Sequence, residues 1–299
     1  MPDAPATIEP ARPNSWWRNG FAWYAERLLR KEFAALRTTP EAEAALTRMA
    51  AESGPQIVVM SHASWWDPVL AAYLWRRSTP TREVYAPIDR RSLAQFRFLR
   101  SLGLFGVDPD DPRSLEAIVD YAEARVREAS AARREIAFWL TPQGRFTDVR
   151  TPARPRPGAA VLAARLGVGR VWAIAVEYAF WNERRPEVFL HASEVVPAPR
   201  GPAGRAASAS DWQRAIAEAM EANRVDLARR VIARDATAFV DRLGGSGGVH
   251  PVYDLWLRLR GVRRTIDCSH RPAAVAEHAA RSLEGTEGGA ARWEGAASR

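Results

Sequence analysis

The chain of 299 residues has one cysteine, Cys268, and one lysine, Lys31. A lone thiol excludes an internal disulfide and any multi-cysteine zinc site, and it fits a reducing, cytoplasmic setting. Lys31 has no glycine-rich loop before it, which excludes a Walker-A phosphate loop and, with it, lysine Schiff-base chemistry. Long apolar runs are also missing. The nearest thing to a membrane span, residues 57–75, carries His62, Asp67 and Pro68 in its middle and is rejected as one. The first thirteen residues are polar and proline-rich, so no signal peptide is expected. His191, His250, His270 and His278 lack ligand-like spacing, so no metal is assigned.

An apolar share of 47% is enough for a real core, and the length suits one large domain or one domain with appendages. The net charge of +8 comes almost entirely from arginine and favours anionic partners. Nucleic acid is not expected among them, because no recognisable module is present and the arginines are spread among acidic residues. From Gln56 onward, strand and helix patterns alternate. Strands are expected at 56–61, 83–88, 104–107, 135–141, 170–177 and 187–192, and helices at 64–77, 90–101, 113–131, 157–167 and 210–243. That order argues for an α/β fold with a largely parallel central sheet flanked by helices.

Residues 1–14 read as disordered. Ser15 can cap an N-terminal amphipathic helix with Trp17, Phe21, Tyr24 and Leu28 on one face and Arg18, Arg27, Arg30 and Lys31 interspersed. Such a helix suits a membrane interface or packing on its own domain. The expected organisation is 1–44 as a disordered start plus this helix, 45–265 as the α/β domain and 266–299 as a mobile tail. Residues 201–210 form a small-residue linker. Residues 244–248 match G-x-S-x-G, but they come after a helix and no strand leads in, so they read as a linker and not as a nucleophile elbow.

The stretch that organises the chain is Ser61-His62-Ala63-Ser64-Trp65-Trp66-Asp67-Pro68. It comes after the apolar run Ile57 to Met60, a short buried strand. Ser64 and Asp67 have capping-box spacing, so a helix is expected to start at Ser64. His62 then sits on a strand-to-helix turn, where ligands bind in open α/β sheets. A histidine can take a proton from an alcohol, and a carboxylate beside it fixes the tautomer and stabilises the imidazolium. On one continuous helix the two would splay by about 140°, but a turn can bring them together. The same residues also allow a plainer arrangement, in which Asp67 caps the helix and His62 is a satisfied turn residue.

His62, four residues, then Asp67 resembles the H-x4-D signature of the glycerolipid (lysophospholipid) acyltransferase family. Gly103-Leu104-Phe105-Gly106 falls where that family has its second block, G-x-x-F-x-x-R. Here the phenylalanine comes one residue early and Pro109 takes the arginine position. Pro142-Gln143-Gly144-Arg145 falls at the third block, P-E-G-T-R, with Gln143 replacing glutamate and Arg145 one residue early. Residues 171–177 resemble the fourth, an apolar strand, without its proline.

The resemblance implies single-step acyl transfer to a hydroxyl of a lipid acceptor such as a lysophospholipid. The donor would be an acyl thioester, acyl-CoA or acyl carrier protein as co-substrate, with no cofactor. It implies His62 as general base and Asp67 as its partner. Ser64 is expected to cap the helix or assist at the site. Gln143, Gly144 and Arg145 would position acceptor or anionic groups, with backbone N–H groups near Gly144 meeting the oxyanion. A peripheral protein on the cytoplasmic face of a membrane is expected. A glycolipid or carotenoid glycoside acceptor, or a non-catalytic membrane-binding protein with a degenerate domain, are the alternatives.

Overall fold

The computed structural model describes residues 8–181, 183–198 and 205–244. Eight strands form one sheet: β1 (Ala35–Thr38), β2 (Gln56–Met60), β3 (Glu83–Asp89), β4 (Leu104–Val107), β5 (Ile136–Leu140), β6 (Val171–Ala179), β7 (Glu187–Val195) and β8 (Val240–Gly244). Among the described residues, seven α-helices accompany them: α1 (Ser15–Glu32), α2 (Pro40–Ala51), α3 (Asp67–Ser78), α4 (Arg90–Gln95), α5 (Ser114–Ala131), α6 (Gly158–Leu166) and α7 (Ala209–Ala233). The strand order is β4-β3-β5-β2-β6-β7-β1-β8. Neighbours run parallel except β6 with β7 and β1 with β8. The expected mixed α/β fold with a largely parallel sheet is therefore present.

The central strands are apolar on both faces because both faces are covered. In β2, Val58 and Met60 join a core with α1, α2 and α3, while Ile57 and Val59 join one with α5, α6 and α7. α3 is buried almost all round, with Leu70 and Leu74 fully enclosed. Truncating either leucine to alanine removes about 3–5 kcal/mol. β4 lies close against β3 through Gly103, whose φ is +102° and whose absent side chain would meet the Val84 carbonyl oxygen at 1.9 Å. Only glycine fits there.

Several expectations need correction. Residues 8–14 run along the sheet edge and are not loose: Glu9 exchanges backbone hydrogen bonds of 2.9 and 2.8 Å with Gly106. Asn14 and not Ser15 caps α1, accepting from the N–H groups of Trp16 and Trp17. The boundary expected at residue 45 falls inside α2, and β1 before it is part of the sheet. The long helix expected at 210–243 stops at Ala233, because Arg234 takes a left-handed conformation; a short turn and β8 come next. β1 and β8 were not expected because neither is an apolar run: they read Ala-Leu-Arg-Thr and Val-Asp-Arg-Leu-Gly, whereas the equally short β4 reads Leu-Phe-Gly-Val. The tail, the linker at 245–248, His250, His270, His278 and Cys268 lie outside the described residues.

α1 packs on α3 through Ala22, Ala25 and Leu29. The expected aromatic face divides: Phe21 and Leu28 pack against the core, whereas Trp17 and Tyr24 are exposed, as are Trp23 and Trp16, the last at 73%. Phe98 joins this surface, its ring 6.5 Å from Phe21, and Phe96 is exposed beside it. Among the described residues, no helix is long and apolar enough to cross a membrane.

Candidate active site

Three strand ends build the site. β2 delivers Ser61, whose N–H donates to the Ile174 carbonyl at 3.0 Å and whose hydroxyl accepts from Val176 N–H at 3.0 Å. The chain thus leaves the sheet with its direction fixed, and His62 comes next. The loop after β5 then grips His62 on both sides. The His62 N–H donates to Gln143 Oε1 at 2.7 Å, and the His62 carbonyl accepts from Thr147 N–H at 2.8 Å.

The His62 and Asp67 side chains meet. Nδ1 of His62 lies 2.9 Å from Oδ2 of Asp67. A carboxylate only accepts, so Nδ1 carries a proton, and in the neutral ring Nε2 then has the lone pair. Oδ2 also accepts from Ala63 N–H at 2.7 Å and Ser64 N–H at 2.9 Å. Oδ1 accepts from the Tyr178 hydroxyl at 2.7 Å. The carboxylate is 1% exposed and the imidazole 20%, so the carboxylate is enclosed while the imidazole reaches the surface. Burial, and then the Asp67 charge, push the Tyr178 phenol well above its ordinary range, so it stays a donor.

Helix α3 begins at Asp67, with Pro68 in its first turn, and no side chain caps it. The expected cap at Ser64 is therefore corrected. Its hydroxyl accepts from Trp66 N–H at 3.2 Å within the turn. Only the returning arm of the expected box forms, from Ser64 N–H to Asp67. The carboxylate serves the turn before the helix and the imidazole together.

The third-block residues divide. Gln143 spends its carbonyl oxygen on the His62 N–H, so it fixes the turn that carries the imidazole. Gly144 has φ +68° and donates its N–H to the Thr141 carbonyl at 3.0 Å, which removes it as an oxyanion donor. The N–H groups of Arg145 and Phe146 have no acceptor among the described residues. Arg145, Arg154 and Arg156 are exposed and have no ionic partner among the described residues. Arg156 lies against Gly144, its Nε 3.0 Å from where a β-carbon would stand. Phe146, which sequence reasoning misses, stacks on His62 with ring centroids 4.3 Å apart. Trp65 stands 68% exposed in the same turn.

Beyond Gly144 a cavity of about 300 Å³ opens between β4, β5, α5 and α6. Val107, Leu115, Ile118, Leu140 and Leu162 line it, and Arg156 stands at its wall. The second-block position, Pro109, also faces it with Asp108 and Asp111. Arg113, the nearest downstream arginine, is paired with Asp111 at 3.0 Å.

With this geometry in place, comparison with known proteins gives one family. The family model described as Acyltransferase matches residues 41–177. The match spans a little under half of the chain. The matched stretch begins in α2 and ends on β6, so His62, Asp67 and Gln143 to Arg145 all lie within it. This is the family expected from the His62 and Asp67 spacing. No curated protein matches the chain. Among solved structures, a similar one is the crystal structure of the 1-acyl-sn-glycerophosphate (LPA) acyltransferase PlsC from Thermotoga maritima. It is 13% identical, with 73% of this chain and 80% of that chain covered and a TM-score of 0.44.

Proposed function

We propose that the acyltransferase domain moves a fatty acyl group from an acyl thioester to a lipid hydroxyl, with His62 as general base. The observation that carries this reading is the 2.9 Å contact of a partly exposed imidazole with an enclosed carboxylate at the sheet's C-terminal rim. The acceptor hydroxyl gives its proton to Nε2 as its oxygen attacks the thioester carbonyl carbon. Asp67 balances the imidazolium that forms. The free N–H groups of Arg145 and Phe146 are suited to the developing oxyanion. The C–S bond then breaks, and the leaving thiolate takes the proton from His62. No covalent enzyme intermediate is required, and the carrier is coenzyme A or acyl carrier protein.

The acceptor is proposed to be a lysophospholipid. Three unpaired arginines near the rim supply charge for an anionic head group. The apolar cavity behind Gly144 suits an acyl chain. A glycolipid or carotenoid glycoside is a second reading, favoured by Pro109 and the acidic Asp108 and Asp111 where the family arginine would stand. Exposed Trp16, Trp17, Trp23, Tyr24, Phe96 and Phe98 suit docking on the cytoplasmic face of a membrane, with Arg27 and Arg30 of α1 facing anionic lipid.

The test measures release of free thiol from acyl-CoA by purified protein, offered lysophospholipids and glycolipids in turn. His62→Ala is expected to abolish transfer while remaining folded. A folded variant at the full rate would overturn the mechanism. Vesicle binding by the wild-type protein without thioester consumption would favour a non-catalytic membrane protein.

A further inference from the structure

We infer that Tyr178 is a positioning residue of the transfer reaction: it holds the second oxygen of Asp67 and so fixes how the carboxylate meets His62. This rests on the reading of His62 as the base. Among the described residues, the imidazole's hydrogen bond goes to Asp67 and its ring contact to Phe146, not to Tyr178. Its hydroxyl reaches Oδ1 of Asp67 at 2.7 Å from the far end of β6, 111 residues along the chain. The ring is held in turn. Its centroid lies 5.8 Å from that of Phe33, which meets Trp66 edge-on at 4.9 Å.

The terminal torsion of an aspartate is soft, so a carboxylate held by one oxygen alone can swing. Asp67 is held by both. Oδ2 has three N–H donors, and Oδ1 has Tyr178 as its one donor among the described residues. In an enclosed site, losing that donor leaves an oxygen unsatisfied. There is an electrostatic effect as well. A hydrogen bond to Oδ1 draws charge from the carboxylate and weakens its hold on the proton it shares with the imidazole. Removing the hydroxyl makes the His62 and Asp67 pair a stronger base as a unit, whichever atom carries the proton. The pair then stays protonated to higher pH, and proton abstraction fails there.

Among the described residues, the titratable groups bonded to Asp67 are His62 from the turn and Tyr178 from β6. Glu177, next on β6, points to the other face and pairs with Arg150 at 2.9 Å.

The experiment is the pH profile of kcat/KM for wild type and Tyr178→Phe. The variant is expected to lose about 10- to 100-fold in kcat with KM nearly unchanged, the size set by one hydrogen bond to a charged group. Its acid limb is expected to move up by about half to one pH unit. In an Asp67→Asn background the same change should cost less than about twofold, because the two groups act as one. An unmoved acid limb in a folded variant overturns the inference, and so does a full additional loss in that background. If Tyr178→Phe does not fold, a ring-fluorinated tyrosine at 178 keeps the shape and strengthens the donor. It should move the limb to lower pH, and no movement overturns the inference. The two readings fail separately: an active His62→Ala removes the base, whereas an inactive His62→Ala with an unmoved Tyr178→Phe profile removes only this role.

Discussion

Replacing Asp67 with asparagine tests the site more sharply than deleting the side chain, because the structure dictates how the amide must sit. Oδ2 faces three N–H donors, from His62, Ala63 and Ser64. An amide NH2 there would oppose all three, so the carbonyl oxygen must take that place. The NH2 group then faces Tyr178, whose hydroxyl turns from donor to acceptor. All four contacts survive. Each loses its charge-assisted part, about 1 kcal/mol apiece. The protein is at the same time relieved of desolvating a carboxylate, a cost of several kcal/mol. The two nearly cancel, so Tm should move by no more than about 5 °C. The reaction has no such compensation. The imidazolium forms with no counter-charge, and kcat should fall by about 10³- to 10⁴-fold, a barrier increase of about 4–5.5 kcal/mol. Asp67→Ala, in contrast, strands the Ala63, Ser64 and Tyr178 donors and should cost about 3–5 kcal/mol in stability. The assay is thiol release from acyl-CoA at neutral pH, with thermal melts of both variants. A stable Asp67→Asn protein within tenfold of wild type would show that the carboxylate charge is not used. A collapsed Asp67→Asn protein would refute the hydrogen-bond argument itself.

Three further outcomes are expected. Gly103→Ala drives a β-carbon into the Val84 carbonyl at a backbone angle that alanine rarely adopts, so a loss of about 3 kcal/mol or more and a Tm drop of roughly 10 °C should appear in thermal melts. His191 is buried, its Nδ1 2.7 Å from the Thr39 hydroxyl, and burial holds its pKa below the ordinary value despite Asp226 nearby. The folded state therefore resists protonation more than the unfolded chain does, so its stabilising contribution is present above about pH 6.5 and lost as pH falls below it; melts against pH should show a shallower acid slope for His191→Gln than for wild type. Trp16→Ser with Trp17→Ser removes two exposed aromatics outside the buried core, so anionic vesicle binding in a flotation assay should weaken several-fold while Tm changes little; undiminished binding would move the membrane contact elsewhere.

The contact between His62 and Asp67 was legible because its logic is local. Five residues span a strand end and a helix start, and backbone turn geometry alone lets two side chains converge. The capping arrangement was half legible for the same reason: Asp67 does return to Ser64, but it is drawn inward to the imidazole, so the helix starts later and goes uncapped. Gln143 was placed in the right loop, but its bond to the His62 backbone was not foreseen. Its effect on His62 runs through a backbone N–H, and nothing in side-chain chemistry marks a contact of that kind across 81 positions. β1 and β8 were missed because charged residues, Arg37 in one and Asp241 and Arg242 in the other, break their apolar pattern, yet together they close one edge of the sheet.

Tyr178 shows where a signal was available and unused. Along β6, Trp172, Ile174 and Val176 alternate onto the face shared with α3, and the next position on that face is Tyr178. It is also the first in that series to carry a hydroxyl, and it stands at the strand's C-terminal end. β6 pairs with β2 in parallel register, Met60 opposite Ile174, so the continuation of β6 must run beside the residues just after Met60. Those residues form the His62 turn. A phenol at that register, on that face, arrives beside Asp67 by sheet geometry alone. The polar residue that interrupts an apolar alternation at a strand's end is thus the position to examine for the outer support of a site.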